Sequence, residues 1–152
     1  MAIETIVVAV GSSDMNRIER LAEEAVEVAE PTDAHVVLVH AFTEDGYDEA
    51  LDVLEFDREL SEVDPDDVAR RHTPVVRLRE VLEGQGIDYS VRGGVGDRAE
   101  TVVAVADKAD ADLVYVGGER RSPTGKAVFG STAQEILFTA PCPVTYVRDD
   151  TR

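Results

Sequence analysis

The chain has 152 residues, enough for one domain with a real core; 43% are hydrophobic and few are aromatic, the balance of an α/β protein built on Val, Ala, Leu and Ile. Thirty-two acids against 15 bases give a formal net charge of −17, which argues against general nucleic-acid binding, since that needs a basic stripe. No apolar run approaches the roughly 18 residues of a membrane span, no leader pattern follows Met1, and the lone Cys142 excludes an internal disulfide, so a cytoplasmic location is expected.

The acids are spread along the chain, and Lys108 and Lys126 are its only lysines. Such a surface repels itself in dilute salt and is screened in concentrated salt. The expectation is a halophile's protein, and full stability without salt would count against it.

Ile3 to Val10 is almost continuously apolar, as a strand buried on both faces reads. Gly11-Ser12-Ser13 turns the chain, and Asp14 opens a helical pattern with Ile18, Leu21, Ala22, Ala25, Val28 and Ala29 on one face. Arg17, Glu19, Arg20, Glu23, Glu24 and Glu27 take much of the remainder, and Pro31 is placed just past the helix. Val36 to Val39 is a second continuous strand, ending at His40-Ala41. Residues 44–67 read as a surface insertion or lid, with Leu51, Leu54, Phe56, Leu60 and Val63 lining a short helix among acids.

Thr73-Pro74 marks a helix start, Thr as N-cap and Pro at N1, with Val75, Leu78, Val81 and Leu82 inside and Gly84 or Gly86 as the stop. Ile87 to Arg92 alternates, the signature of an edge strand with one solvated face. Gly93-Gly94-Val95-Gly96 is expected to turn, and Asp97 to cap a helix whose inner face is Ala99, Val102, Val103 and Ala106. Leu113 to Val116 is the third continuous strand. A glycine pair, Gly117-Gly118, then leads into a loop with Arg120, Arg121 and Lys126, and Gly130-Ser131 begins a helix over Thr132 to Thr139 with Ile136 and Leu137 facing in. Pro141-Cys142-Pro143 breaks it, and Val144 to Val147 is a short last strand.

This alternation predicts an α/β fold: a single domain with an open, five-stranded parallel sheet and helices on both faces. Continuous strands in the centre and the other two at the edges give the order 3-2-1-4-5. The direction then reverses between strands 1 and 4, and ligands lie outside the carboxyl ends at that switch point. The turns there are Gly11-Ser12-Ser13 and the glycine pair with its basic loop. By local pattern that loop is either a phosphate cradle, with close backbone N–H groups and a helix N-terminus, or a plain strand-to-helix connection. Its place at the switch point favours the first.

Sharper motifs fail. Gly125-Lys126 lacks a P-loop's glycine at Arg120 and its Ser or Thr at Ala127. Gly94 to Ala99 matches a relaxed dinucleotide fingerprint, but it follows an edge strand and reads better as a turn with an Asp97 cap. His35, His40 and His72 show no metal-ligand spacing, so no metal is expected; His40 reads as a satisfied structural group. Cys142, between two prolines, reads as packed rather than nucleophilic. No catalytic residue is assigned.

The whole arrangement resembles the universal stress protein family. The resemblance rests on Ile6 to Val10 before a Ser-containing turn, on Val37-Leu38-Val39-His40, and on Gly96-Asp97-Arg98-Ala99-Glu100 opening a helix. It continues through Asp112 to Gly117, Gly130-Ser131 and Pro141-Cys142-Pro143-Val144. It implies an adenine nucleotide alpha hydrolase-like fold. Nucleotide-binding members carry Gly, two residues, Gly, nine residues, then Gly-Ser/Thr; Gly117, Gly130 and Ser131 match, and Arg120 replaces the middle glycine.

The resemblance implies ATP over the switch point, its phosphates on the glycine loop and an aspartate ending the first strand on the adenosine. Gly11 stands where that aspartate would be. The expected binding residues are Ala9, Val10, Gly11, Ala41, Val116, Gly117, Arg120, Gly130, Ser131 and Thr132. Arg120 either blocks the phosphates or supplies them a cation. The resemblance also implies a homodimer joined along Val144 to Val147, an apolar edge if left unpaired. Three functions follow: an ATP-binding stress module without strong catalysis; a stress protein that has lost nucleotide and works through dimerisation or partners; and, third, a weak ATPase.

Overall fold

The computed structural model describes residues 2–53, 63–118 and 130–148. Five parallel strands form one sheet in the order β3-β2-β1-β4-β5: β1 Thr5–Ala9, β2 His35–Phe42, β3 Tyr89–Val95, β4 Leu113–Gly118 and β5 Val144–Arg148. The predicted topology is the one observed. β1 lies central because its side chains are apolar on both faces. Ile6 and Val8 join one buried cluster with Val36 and Leu38, while Val7 and Ala9 join another with Val37, Val39, Val114 and Val116. Each such side chain contributes about 1.5–3 kcal/mol on full burial.

Helices α1 (Ile18–Thr32), α2 (Glu44–Val53), α3 (Pro65–Arg70) and α4 (Thr73–Gly84) supply the first cluster; α5 (Arg98–Lys108) and α6 (Ser131–Thr139) supply the second. Asp112 ties the strand starts together, its carboxylate accepting from the Glu4 and Thr5 amides at 2.8 and 3.1 Å. Asp97 caps α5 as expected, accepting from the Glu100 amide at 2.9 Å.

Several local expectations are corrected. Pro31 lies inside α1, which runs on to Thr32, where the hydroxyl donates back to the Val28 carbonyl at 2.6 Å before Asp33 closes the helix in the left-handed region. His72 is the N-cap of α4, so Thr73 and Pro74 are its first two residues. Leu137 is 42% exposed and Phe138 79%, because α6 buries the stripe of Ala133 and Ile136 and Leu137 lies a hundred degrees round from it.

Residues 44–67, expected as a surface insertion or lid, are largely exposed along α2 where they are described, and they are anchored to the core at a few points. Leu51 of α2 is buried, and the Tyr47 ring lies 5.4 Å from Phe42. Asp64 caps α3, whose Val68 and Ala69 are fully buried. Leu54, Phe56 and Leu60 lie outside the described residues.

Gly93 and Gly94, expected to turn, continue β3. Their role is close approach. A Cβ on Gly93 would stand 2.1 Å from the Pro65 carbonyl oxygen and 2.6 Å from its carbon. The clash is with backbone at the start of α3, so no side chain can move aside. Gly93→Ala is therefore expected to cost about 2–3 kcal/mol, the range of forced overpacking. Gly84→Ala, where nothing lies within 4 Å, is expected to be neutral or stabilising by up to about 1 kcal/mol. Urea melts in high salt compare the two, and equal stability of both variants would refute the packing role.

Candidate functional site

β1 pairs with β2 on one side and β4 on the other, so the connections leaving β1 and β4 diverge to opposite faces of the sheet. A cleft of about 440 Å³ opens at their carboxyl ends. Ala9, Val10 and Gly11 line it from β1, Ala41 from β2, Val116 and Gly117 from β4, and Gly130, Ser131 and Thr132 from the start of α6. Nine of the ten residues singled out from sequence thus surround one space. The tenth, Arg120, lies outside the described residues, as does the basic loop around it.

The phosphate-binding potential lies at α6. Gly130 is its N-cap in extended conformation, and no side chain of the described residues caps the first turn. The first amides of a nine-residue helix stand at the cleft with the positive end of its dipole.

Sequence reasoning missed a second feature, a buried ion pair. Gly11 is followed by a 3-10 turn over Ser12–Arg17, which shifts the rotation of the chain before α1 begins at Ile18. Arg17, assigned by helical periodicity to the solvated face, is therefore 3% exposed, and Asp14 is 6% exposed. Arg17 Nη1 donates to Asp14 Oδ1 and, at 3.1 Å, to the Ser13 carbonyl. Asp14 Oδ2 accepts from the Gly11 amide at 2.7 Å. The pair packs against Gly117, where a Cβ would meet Arg17 Cδ at 2.7 Å and Asp14 Oδ1 at 2.9 Å.

Arg98, at the first position of α5, lines the cleft from the other side and is joined to no acid among the described residues. The described lining of the cleft thus has two guanidinium groups and one carboxylate in a chain of net charge −17. Among the described residues no cluster of three or more His, Cys, Asp or Glu has the geometry to hold a metal ion. Cys142 is half-buried, and burial pushes its thiol pKa up, with the Asp112 charge adding to the effect.

The first cluster closes at the same end of the sheet with stacked imidazoles. The His40 and His72 rings lie 4.0 Å apart and 24° from parallel. His40 Nδ1 donates to the Val10 carbonyl at 2.7 Å, capturing the last acceptor of β1 as that strand peels away. Burial holds His40 below its ordinary pKa of 6.5, the bond to Val10 opposes this, and the Arg98 charge lowers it further. Burial, with His40 beside it, lowers His72 to about 4.

An open parallel sheet with crossover helices on both faces and a cleft at its switch point define an α/β domain of the doubly wound kind. The family model described as "Universal stress protein family" matches residues 2–148, and the chain belongs to that family. A universal stress protein of Mycolicibacterium smegmatis is 37% identical over 68 residues, 44% of this chain. The match spans about half, 52%, of that relative's length. A universal stress protein crystallised in complex with cAMP superposes with a TM-score of 0.65 at 18% identity, covering 97% of this chain and 98% of the other. An Arabidopsis thaliana family member with AMP bound superposes at 0.64 and 13% identity, covering 97% and 93%. At these identities the structural likeness is one of fold. No helix among the described residues is long and apolar enough to cross a membrane.

Removing Asp14 takes the opposite charge away from the buried Arg17. Asp14→Ala is expected to cost about 3–5 kcal/mol, whereas the double variant Asp14→Leu with Arg17→Met recovers most of it by replacing the pair with packing. Denaturant melts of the double-mutant cycle measure this, and additive losses would show the two groups to be uncoupled.

The imidazoles set an acid limit. Both are folded in neutral, while the unfolded chain takes up their protons near the ordinary value of 6.5. Stability is therefore full above that value and falls as pH drops from 6.5 towards about 4. His72→Phe, which keeps an aromatic face on His40, is expected to flatten that decline. Chemical melts at pH 7, 6 and 5 test it, and an unchanged slope would remove His72 from the account.

Proposed function

We propose that the chain is an adenine-nucleotide-responsive stress module, without strong catalysis, acting as a homodimer. The observation that carries this is the convergence of Ala9, Val10, Gly11, Ala41, Val116, Gly117, Gly130, Ser131 and Thr132 on one cleft of about 440 Å³ with an uncapped helix start. A volume of this order suits a mononucleotide. Val116 and Ala41 offer backbone and apolar surface to a base, and the α6 amides with Ser131 and Thr132 offer donors to phosphate. The cAMP and AMP complexes of proteins with this fold support the ligand class. ATP is the expected physiological form, and the cytoplasm the expected compartment.

A second reading, loss of nucleotide binding, is favoured by the buried pair. Asp14 folds back over Gly11, where the family's adenosine-contacting aspartate would stand, and with Arg17 it fills the space beside Gly117. In that case the module works through its surface. Arg120 bears on the same choice.

Dimerisation is supported by the sheet edge. β5 pairs with β4 on one side, and the exposed Leu137 and Phe138 of α6 stand a few residues before it. An apolar edge flanked by exposed apolar side chains is better covered than left in water.

Protein purified in high salt, denatured and chromatographed is expected to release adenine nucleotide. AMP or ATP at about 100 times its dissociation constant should stabilise by about 2.7 kcal/mol. For a chain of this size that raises Tm by roughly 5–10 °C. Light scattering of the same sample should give a dimer that Phe138→Asp dissociates. Neither released nucleotide nor a thermal shift at millimolar ligand would leave the second reading, and a monomer at every salt concentration would end the dimer.

A further inference from the structure

A second cavity, of about 310 Å³, lies beyond Ala41 on the other face of the sheet end. β2 alternates there: Val39 and Ala41 turn to the cleft, His40 and Phe42 to this side pocket. Its walls come from the end of β2, from Glu49 and Ala50 of α2, from Arg71, and from His72 and Thr73 at the start of α4, so that besides Arg98 one acid and one further arginine border it. Arg98 and Ala41 border both cavities.

His40 is the unusual member. It is 96% buried by the complement of its 4% exposure, yet only half of its hydrogen-bonding capacity is used. Nδ1 faces a carbonyl oxygen, which accepts only, so Nδ1 carries the proton and Nε2 is a bare lone-pair acceptor. Among the described residues Nε2 has no hydrogen-bonding partner. No fully buried side-chain polar atom of the described residues is unsatisfied, so Nε2 is not sealed off, and His40 lines this cavity. His72 cannot serve it, because that ring is stacked face to face and its own Nε2 lies 3.3 Å from Ser12 Oγ.

The chemistry of an occupant follows. Nε2 requires an N–H or O–H donor. Arg98, exposed and joined to no acid among the described residues, offers its guanidinium to an acceptor. The ring edges of His40 and Phe42, with Ala50 and Val53, present an apolar, aromatic wall. The volume stands at the small end of ligand pockets, about ten water volumes. A flat ring carrying a primary carboxamide meets all four conditions: amide N–H to His40, amide oxygen to Arg98, ring against the wall, and a size that fits. An acid would gain Arg98 but leave Nε2 without a donor.

We propose that this side pocket is a second binding site, separate from the nucleotide cleft, for a small uncharged planar molecule or moiety of the aromatic carboxamide type, held by His40 Nε2 and Arg98. It does not rest on the nucleotide reading, since His40 and Phe42 line this pocket and not the cleft, although Arg98 borders both.

Benzamide is the probe, with benzoate as the donor-less control, titrated into the nucleotide-free protein in high salt. The readout is the ¹⁵N resonance of His40 Nε2 in ring-labelled protein. Saturable movement of Nε2 with benzamide, and binding of benzoate weaker by roughly tenfold for the lost donor, are expected. Ala50→Phe, which fills the pocket away from both polar groups, should abolish the movement while far-UV circular dichroism and Tm remain those of a folded chain. In His40→Phe, which has no Nε2 resonance, titration calorimetry is expected to show benzamide weakened by a similar factor. If His40→Phe does not fold, the Ala50 variant alone decides. No movement of Nε2, movement that persists in Ala50→Phe, or benzoate binding more tightly than benzamide would each overturn the proposal. An AMP titration of Ala50→Phe run in parallel reports the cleft separately, so failure of one site is not read as failure of the other.

Discussion

The double pairing of β1 governs the rest of the molecule. Thr5 to Ala9 are in register with His35 to Val39 on one side, and Ile6 to Val8 with Leu113 to Tyr115 on the other. A strand so placed has no edge and no solvated face, so its interior must be apolar, and from Ile6 to Ala9 it is, buried after a half-buried Thr5. Its neighbours run parallel to it, so each connection crosses over a face of the sheet, and the two that diverge from β1 and β4 leave a gap between them. The cleft is a consequence of connectivity, and the chain supplies only its lining. Even the ending of β1 is regulated by its neighbours: the Val10 amide still bonds to Val39, while the Val10 carbonyl is taken by His40. After that no ladder bond holds the backbone, and Gly11 can turn.

Charge is distributed around that gap in a way the total conceals. The chain is strongly acidic, and most described arginines are already engaged: Arg20 with Glu24, Arg77 with Glu19, Arg79 with Glu83, Arg92 near Asp66. Exposed pairs of this kind contribute little each. Arg17 differs. It is buried, so it needs Asp14, and together they present a nearly neutral, hydrogen-bonded floor beside Gly117. Arg98 is left as the uncompensated cation of the described lining. Arg98 is itself exposed, so solvent and salt screen it as well, and its weight lies in its position at the cleft rather than in burial.

Sheet order and central strands were legible because burial on two faces writes an unbroken apolar run, and Ile6 to Val10, Val36 to Val39 and Leu113 to Val116 are such runs. The Asp97 cap was legible because its signal is local. What escaped depends on contacts between distant parts. Gly93 and Gly94 carry turn chemistry, yet they lie in β3 because Pro65 and Thr101 come too close for a Cβ. α3 is six residues long, too short for periodicity to show, and its Val68 and Ala69 are nonetheless fully buried. The burial of Arg17 depends on one 3-10 turn, a change of rotation that a helical wheel started at Asp14 cannot anticipate. Nine cleft residues were found because they sit at strand ends and one helix start. Arg98 and Arg17 were not, since an arginine on a helix gives no sign of which cavity it borders.

The alternation of β2 has a further consequence for how two cavities can communicate. Residues 39 to 42 turn alternately to opposite faces of one strand that is hydrogen-bonded on both sides along much of its length, so the strand itself is a poor moving part. The cavities nevertheless share Arg98, a long side chain at the start of α5 with no ion-pair partner among the described residues. Were both cavities occupied, a guanidinium turned to an anion in the cleft would be withdrawn from an acceptor in the side pocket, and the reverse. Linkage of this kind is reciprocal: whatever factor one occupant imposes on the other's affinity is returned unchanged. It requires no backbone rearrangement, only a choice between rotamers of one residue, and so fits a domain whose central strands are packed on both faces.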